Sequence, residues 1–236
     1  MITKNSLLED IISYNPSLTT LAERLGFPED SGTLTIDEVS KKSCNNPDFI
    51  VEIFKAHSNK NHFPFKELKI FSLSYLINYL RKTHRQYIYK LLPEIEQSIT
   101  QLIQKFGLSH PNLVSLTLIF LKYKNDLEKH IQEEEKMLFP YIENLLKAKQ
   151  HGSQYLNPIF KSYSINHFIS LHHENEISLP AIRKTILENS QITSLPMPYR
   201  IFLIQLEFFE QDLITHSKVE DEVLIPKSLV LENLLK

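Results

Sequence analysis

Histidine and glutamate recur at one spacing in two distant parts of this chain. His130 is followed four residues later by Glu134, and His216 is followed four residues later by Glu220. Each copy continues with a leucine eight residues and a proline ten residues after its histidine: Leu138 and Pro140, then Leu224 and Pro226. Residues four apart on an α-helix share a face, so each copy presents an imidazole and a carboxylate to one point. The two copies together predict a metal site.

Histidines in two further helical segments could complete such a site. His84 lies in the segment 68–92, and the segment 158–188 contains His167, His172 and His173. Four imidazoles and two carboxylates, without a thiolate, suit two first-row metals, with iron favoured over manganese or zinc. Since adjacent helical residues point about 100° apart, His172 and His173 cannot both face the metals.

The same residues also have simpler interpretations. A single His–Glu pair at this spacing is common on solvated helix faces, and only its doubling favours ligands. A structural bundle with surface His–Glu pairs therefore remains an alternative. Most of the neighbouring acidic residues are expected to face solvent, and the leucines and prolines of the two motifs are expected to pack in the core and to end helices. These acidic residues are Glu133, Glu135, Asp221 and Glu222.

The elements that must position the histidines are predicted to be long helices. The chain has 236 residues with only 4 glycines and 42% hydrophobic residues, which favours an all-α fold. Residues 1–63 are predicted to form a small helical N-terminal domain and linker, and residues 64–236 a four-helix bundle. Its helical segments are predicted at 68–92, 98–146 with a break at 107–111, 158–188 and 199–225.

Charge and composition argue against several classes of partner. A formal net charge of -2, without a basic stripe, argues against a nucleic-acid partner. The first ten residues carry charges where a signal peptide needs an apolar run, and no segment approaches the roughly 18 apolar residues of a membrane helix. We therefore expect a cytoplasmic protein without a membrane partner. The one cysteine, Cys44, excludes an intramolecular disulfide and is expected to be buried and inert.

The two motifs, HxxxE followed by Leu-Phe-Pro or Leu-Ile-Pro, resemble those of the hemerythrin-like fold. They resemble most specifically the di-iron iron–sulfur cluster repair family, also described as regulators of cell morphogenesis and nitric-oxide signalling. The resemblance runs from about residue 66 to the C-terminus and, more weakly, over residues 1–60. It implies an up-down four-helix bundle with a small helical N-terminal domain. It also implies two iron ions with oxo and carboxylate bridges, held by His84, His130, Glu134, His173, His216 and Glu220.

Two of these assignments depend on register. His84 lies about one residue from the family position counted back from Leu92 and Pro93, and a one-residue helical bulge would absorb this offset. On the third bundle helix, the family spacing to the segment 182–183 selects His173 over His172. Glu176 and Tyr87 are candidates for orienting the imidazoles from the outer shell.

The resemblance implies a non-haem di-iron protein of nitrosative and oxidative stress. The implied roles are iron–sulfur cluster repair and the binding or reduction of nitric oxide. A non-catalytic sensor of oxygen or nitric oxide is the alternative, so enzymatic activity is left open. Damaged iron–sulfur proteins and a second copy of the chain are the implied partners. The family has adjacent cysteines where this chain has residues 27–32 without one, so a thiol step through that pair cannot operate here.

Overall fold

The computed structural model describes residues 2–59, 63–108, 112–160, 162–172 and 196–235. In these ranges the regular structure is helical, apart from an isolated β-bridge between Leu7 and Thr35. The prediction of an all-α chain is confirmed. The α-helices are Leu8–Tyr14, Leu18–Arg24, Ile36–Lys42, Pro47–Ser58, Phe65–Leu68, Leu73–Gln86, Leu92–Phe106, Asn112–Glu133, Phe139–His151, Ile165–His172, Met197–Val219 and Ile225–Leu235. Short 3-10 helices lie at Ser153–Tyr155 and Pro158–Phe160.

Capping residues in the sequence account for the starts of two N-terminal helices. The side chain of Thr35 accepts the backbone N–H of Glu38, and the Glu38 carboxylate accepts the backbone N–H of Thr35. This reciprocal capping box satisfies two donors that the first helical turn cannot pair. Asn46 accepts the N–H groups of Asp48 and Phe49, with proline at the first helical position. The helix starts at Ile36 and Pro47 thus have a local cause.

In the part of the chain that the structure describes, three π-helical segments interrupt the long helices, and each is followed by the same two-residue pattern, an apolar residue and then proline. They span Tyr87–Leu91, Glu134–Leu138 and Glu220–Leu224. The residue after each segment donates its N–H to the carbonyl five residues earlier, and the next residue is Pro93, Pro140 or Pro226. A proline has no N–H to donate and its ring crowds the carbonyl four residues back, so one wider turn lets the helix continue.

These wide turns correct the predicted helix boundaries. Pro93, Pro140 and Pro226 do not end helices, because helical structure continues to Phe106, His151 and Leu235. The prediction of helix termination at Pro140 and Pro226 was therefore wrong. Residues 92–106 continue the helix that contains His84, and the helix that contains His130 begins only at Asn112. Leu138 and Leu224 are fully buried, as predicted for core residues.

The chain divides into two compact units that do not follow the order of the sequence. The first unit comprises Met1–Thr83 and Gln211–Lys227, and the second comprises His84–Glu210 and Ser228–Lys236. In the first unit, the ring of Phe49 lies 5.0 Å from Phe71, 4.8 Å from Tyr75 and 5.3 Å from Tyr79. The C-terminal motif around His216 therefore belongs to the same compact unit as the N-terminal helices.

The second unit has its own aromatic core. The ring of Phe209 meets Tyr87 edge-on at 5.3 Å and Tyr123 at 6.4 Å, and all three side chains are buried. Such edge-to-face contacts stabilise packing beyond the area they bury. Within the described residues, none of the helices combines the length and apolar character that a membrane-spanning helix needs.

Candidate metal centre

Glu134 is the central residue of the candidate site in the second unit. It is the first residue of a π-helical segment, and its side chain is 0% exposed. The Nε2 atom of His130, one turn earlier on the same helix, lies 2.6 Å from its Oε1. The Nε2 atom of His84, from another helix, lies 2.9 Å from its Oε2. One buried carboxylate thus brings together two of the predicted histidines, with one imidazole on each oxygen.

The protonation of these imidazoles follows from the buried carboxylate. Burial by itself lowers the pKa of His84, but hydrogen bonds to Glu134 and Glu135 outweigh it and raise that pKa to about 9. Burial also opposes protonation of His130, and the charge of Glu134 raises its pKa above the usual value. A buried carboxylate needs a positive partner. Here protonated imidazole supplies it, and a bound cation could supply it instead while leaving both imidazoles neutral.

Glu135 orients His84 from the side opposite Glu134. Its Oε1 lies 2.8 Å from Nδ1 of His84, whose ring stacks on Phe139 with centroids 5.5 Å apart and planes 8° apart. A carboxylate on the second ring nitrogen is the usual outer partner of a metal-binding histidine, because it sets the tautomer and the ring orientation. Glu135 is therefore an exception to the expectation that most of these acidic residues face solvent. Among three consecutive glutamates, no sequence signal singled it out.

The first unit contains the second predicted His–Glu pair. His216 and Glu220 are both buried, and Nε2 of His216 lies 3.8 Å from Oε2 of Glu220. Glu220 begins a π-helical segment, as Glu134 does. The two copies of the motif therefore share both their helical register and the wide turn that follows it.

Asp212 is a buried neighbour of this pair that the sequence interpretation missed. It lies four residues before His216, and its carboxylate contacts Arg24 and His57 of the N-terminal helices. The repeat offers a signal for it, since Asp126 lies four residues before His130 and the offset of 86 positions is preserved. The repeat therefore extends one turn further toward the N-terminus than the pattern that predicted the metal site.

The predicted ligands are not all within the described part of the chain. His173 lies outside the described residues, as does Glu176, and the choice of His173 over His172 stays a prediction. The other five residues belong to histidine and glutamate groups that could hold a metal ion. They are His84, His130, Glu134, His216 and Glu220.

Cys44 differs from its prediction. It is exposed rather than buried. It directly follows the capping residue of the helix Ile36–Lys42 and has a φ of 53°. Its N–H donates to the carbonyl of Lys41, and the N–H of Asn45 donates to that of Ser40. This left-handed helix ending places the residue at the surface, which sequence alone did not indicate.

Comparison with known proteins identifies the family. Residues 75–228, more than half of the chain, match the family described as Hemerythrin HHE cation binding domain. The chain belongs to this hemerythrin family. The matched range contains both His–Glu motifs and His84. The predicted hemerythrin-like helical-bundle fold is thereby confirmed.

A curated protein is similar to nearly the whole of this chain. The iron–sulfur cluster repair protein ScdA of Staphylococcus haemolyticus (strain JCSC1435) is 18% identical over 230 residues, which cover 96% of this chain and 99% of that protein. The resemblance to the cluster repair family is therefore confirmed. The similarity includes the N-terminal helices, which lie outside the hemerythrin match.

The donors in the second unit fit an iron cation. Imidazole nitrogens and a carboxylate are ligands that iron accepts, whereas thiolates, which favour zinc or iron–sulfur clusters, are not among the predicted ligands. Glu134 is buried, with its two oxygens 2.6 and 2.9 Å from imidazole nitrogens that could serve as neighbouring ligands. The residues present therefore suit the cation that the family description implies.

Proposed function

We propose that this hemerythrin-family chain holds two iron ions with six side chains, namely His84, His130, Glu134, His173, His216 and Glu220. The observation that carries the proposal is the buried carboxylate of Glu134, with an imidazole nitrogen 2.9 Å from one oxygen and another 2.6 Å from the other. The equivalent pair His216 and Glu220 repeats the motif and the π-helical turn, which supports an equivalent role.

We infer that the protein acts in the response to nitrosative and oxidative stress, as a cytoplasmic iron–sulfur cluster repair protein. Bound iron would supply reversible binding of a diatomic ligand, nitric oxide or oxygen, and one-electron chemistry. The chain's own residues would hold the iron, keep both imidazoles oriented and exclude water around Glu134. The similarity to ScdA supports the repair role, with damaged iron–sulfur proteins as partners and a homodimer as the proposed assembly.

The test measures metal per chain by plasma mass spectrometry on protein purified without oxygen. We expect about two irons per chain in the wild type and the loss of both in Glu134→Ala/Glu220→Ala. Circular dichroism checks that the double variant keeps its helices. Wild-type protein that remains free of iron after incubation with ferrous salt would exclude the proposed function.

A second candidate, a sensor that binds nitric oxide or oxygen without turnover, is favoured by one specific observation. Arg24 of the N-terminal helices forms a buried ion pair with Asp212, one turn before His216 on the same helix. This contact links the helix that carries His216 and Glu220 to the N-terminal helices of the same unit. Nitric-oxide consumption distinguishes the candidates, since a sensor binds a stoichiometric amount and stops, whereas a reductase continues as long as electrons are supplied.

A further inference from the structure

A closed ring of four buried polar side chains joins four helices of the first unit. The Nη2 atom of Arg24 lies 2.5 Å from Oδ2 of Asp212, and its Nη1 donates to the hydroxyl of Tyr79 at 3.4 Å. His57 closes the ring, with Nε2 at 3.3 Å from the Tyr79 hydroxyl and Nδ1 at 3.4 Å from Oδ1 of Asp212. Each of the four residues comes from a different helix.

The ring contains one cation and one anion at neutral pH. Burial lowers the pKa of His57 to about 4, although Asp212 opposes this shift, so His57 is neutral. The side chain of Arg24 is 0% exposed and that of Asp212 is 11% exposed. The free energy needed to remove both charges from water is about as large as the attraction between them. A buried ion pair is therefore a weak source of stability. The pair instead fixes the orientation of the helix that carries Asp212, because the guanidinium of Arg24 and the carboxylate of Asp212 must stay in contact.

Asp212 and His216 lie on one helix, so an orientation fixed at Asp212 also determines the direction of the His216 side chain. Four residues of α-helix advance about 6 Å along the axis and rotate by about 40° beyond one full turn, so both side chains lie on one face. Glu220 follows one turn later, at the start of its π-helical segment. Since the helix Met197–Val219 is continuous between Asp212 and His216, rotation of the helix at one residue rotates the other equally.

We infer that Asp212 is a positioning residue for the proposed metal site, through which Arg24 fixes the rotation of the helix that carries His216 and Glu220. The N-terminal helices therefore contribute to the geometry of the proposed metal site. The inference rests on the proposed function, because it assumes that His216 and Glu220 bind metal.

The test uses cobalt(II) as a probe in the full-length chain, because its visible spectrum depends on ligand geometry. Arg24→Met and Asp212→Asn are expected to shift the cobalt(II) bands and to weaken binding about tenfold in competition with a chelator. Arg24→Lys, which keeps the charge, is expected to recover part of the affinity. Asp48→Asn is the matched control, since Asp48 forms an exposed ion pair with Lys4 in the same unit. This control should leave the spectrum unchanged.

A double variant separates positioning from simple destabilisation. Arg24→Met/Asp212→Leu removes both charges, so neither is left buried and unpaired. If positioning is the role, this folded double variant shows the same spectral shift and about the same loss of affinity as either single variant. Wild-type bands and affinity in the folded double variant would overturn the inference and leave the metal site standing. If the wild type itself binds neither cobalt(II) nor iron, the proposed function fails and the inference fails with it.

Discussion

The Nδ1 atom of His84 lies 2.8 Å from Oε1 of Glu135, a residue 51 positions later in the chain. The other ring nitrogen of His84 is 2.9 Å from Glu134, so adjacent glutamates contact the two nitrogens of one imidazole. This arrangement separates their roles. Glu134 is buried at the candidate metal site, whereas Glu135 is 31% exposed and orients the ring from outside.

Removing the orienting carboxylate should weaken metal binding without abolishing it. We expect Glu135→Gln to lower iron affinity about tenfold, because loss of an outer carboxylate typically costs that much. Competition with a chelator measures the change. Glu133→Gln is the matched control, since Glu133 is exposed on the same helix, and equal effects in both variants would contradict the assigned role of Glu135.

Glu220 and Glu222 of the second motif should differ in the same way. Glu220→Gln should reduce the iron content per chain and weaken the remaining binding by more than the tenfold expected for Glu135→Gln. The reason is that Glu220 is 1% exposed and paired with His216, whereas Glu222 is exposed. Glu222→Gln, the control, should keep wild-type iron content in mass spectrometry. Retention of both irons in Glu220→Gln would exclude Glu220 as a ligand.

His57 should make the protein sensitive to mild acid. Its pKa is about 4 in the folded state against 6.5 as the reference value, because burial disfavours its charge. Between these values the unfolded chain binds a proton that the folded chain does not, so stability falls as pH drops from 6.5 toward 4. The full contribution is about 3 kcal/mol.

Urea denaturation across this pH range measures the effect. In His57→Asn the free energy of unfolding should depend less steeply on pH than in the wild type. His151→Asn serves as the control because His151 is exposed, and it should retain the wild-type slope. An unchanged slope in His57→Asn would show that His57 does not stay neutral in the folded protein.

A hydroxyl and a backbone amide share one buried carboxylate in the second unit. The Tyr141 hydroxyl donates to Oε1 of Glu232 at 2.5 Å, and the N–H of Ile165 donates to the same oxygen at 3.2 Å. Burial and the charge of Glu232 raise the pKa of Tyr141, so the hydroxyl keeps its proton.

Tyr141→Phe should therefore destabilise the protein by about 2 kcal/mol, since it leaves a buried carboxylate short of a donor. Urea or thermal denaturation measures the loss, and Tyr14→Phe is the control because Tyr14 is 89% exposed. If the two variants are equally stable, the hydrogen bond contributes nothing to the folded state.

The local features of this protein were predictable from its sequence because they depend on residues within a few positions of each other. The pairs His130–Glu134 and His216–Glu220 follow from the rise and rotation of one helix, and the structure has both pairs in contact. The cap at Thr35 is local in the same sense. The bulge expected after His84 occurs as the π-helical segment Tyr87–Leu91.

The helix boundaries near the prolines were local too, yet the prediction failed there. Proline cannot donate one backbone hydrogen bond of the helix. The chain accommodates this either by ending the helix or by widening one turn. Burial of Leu138 and Leu224 favours the continued helix, and burial depends on packing against other elements.

Only the tertiary structure decided that Glu135 and Asp212 also contact residues of the candidate site or of the N-terminal helices. Glu133 and Glu135 are identical in type, and only Glu135 contacts His84, which approaches from a distant part of the chain. The pair Arg24–Asp212 spans 188 positions. Helical periodicity determines the face on which a side chain lies, but a contact across such separations depends on how helices pack, and that is a property of the folded chain as a whole.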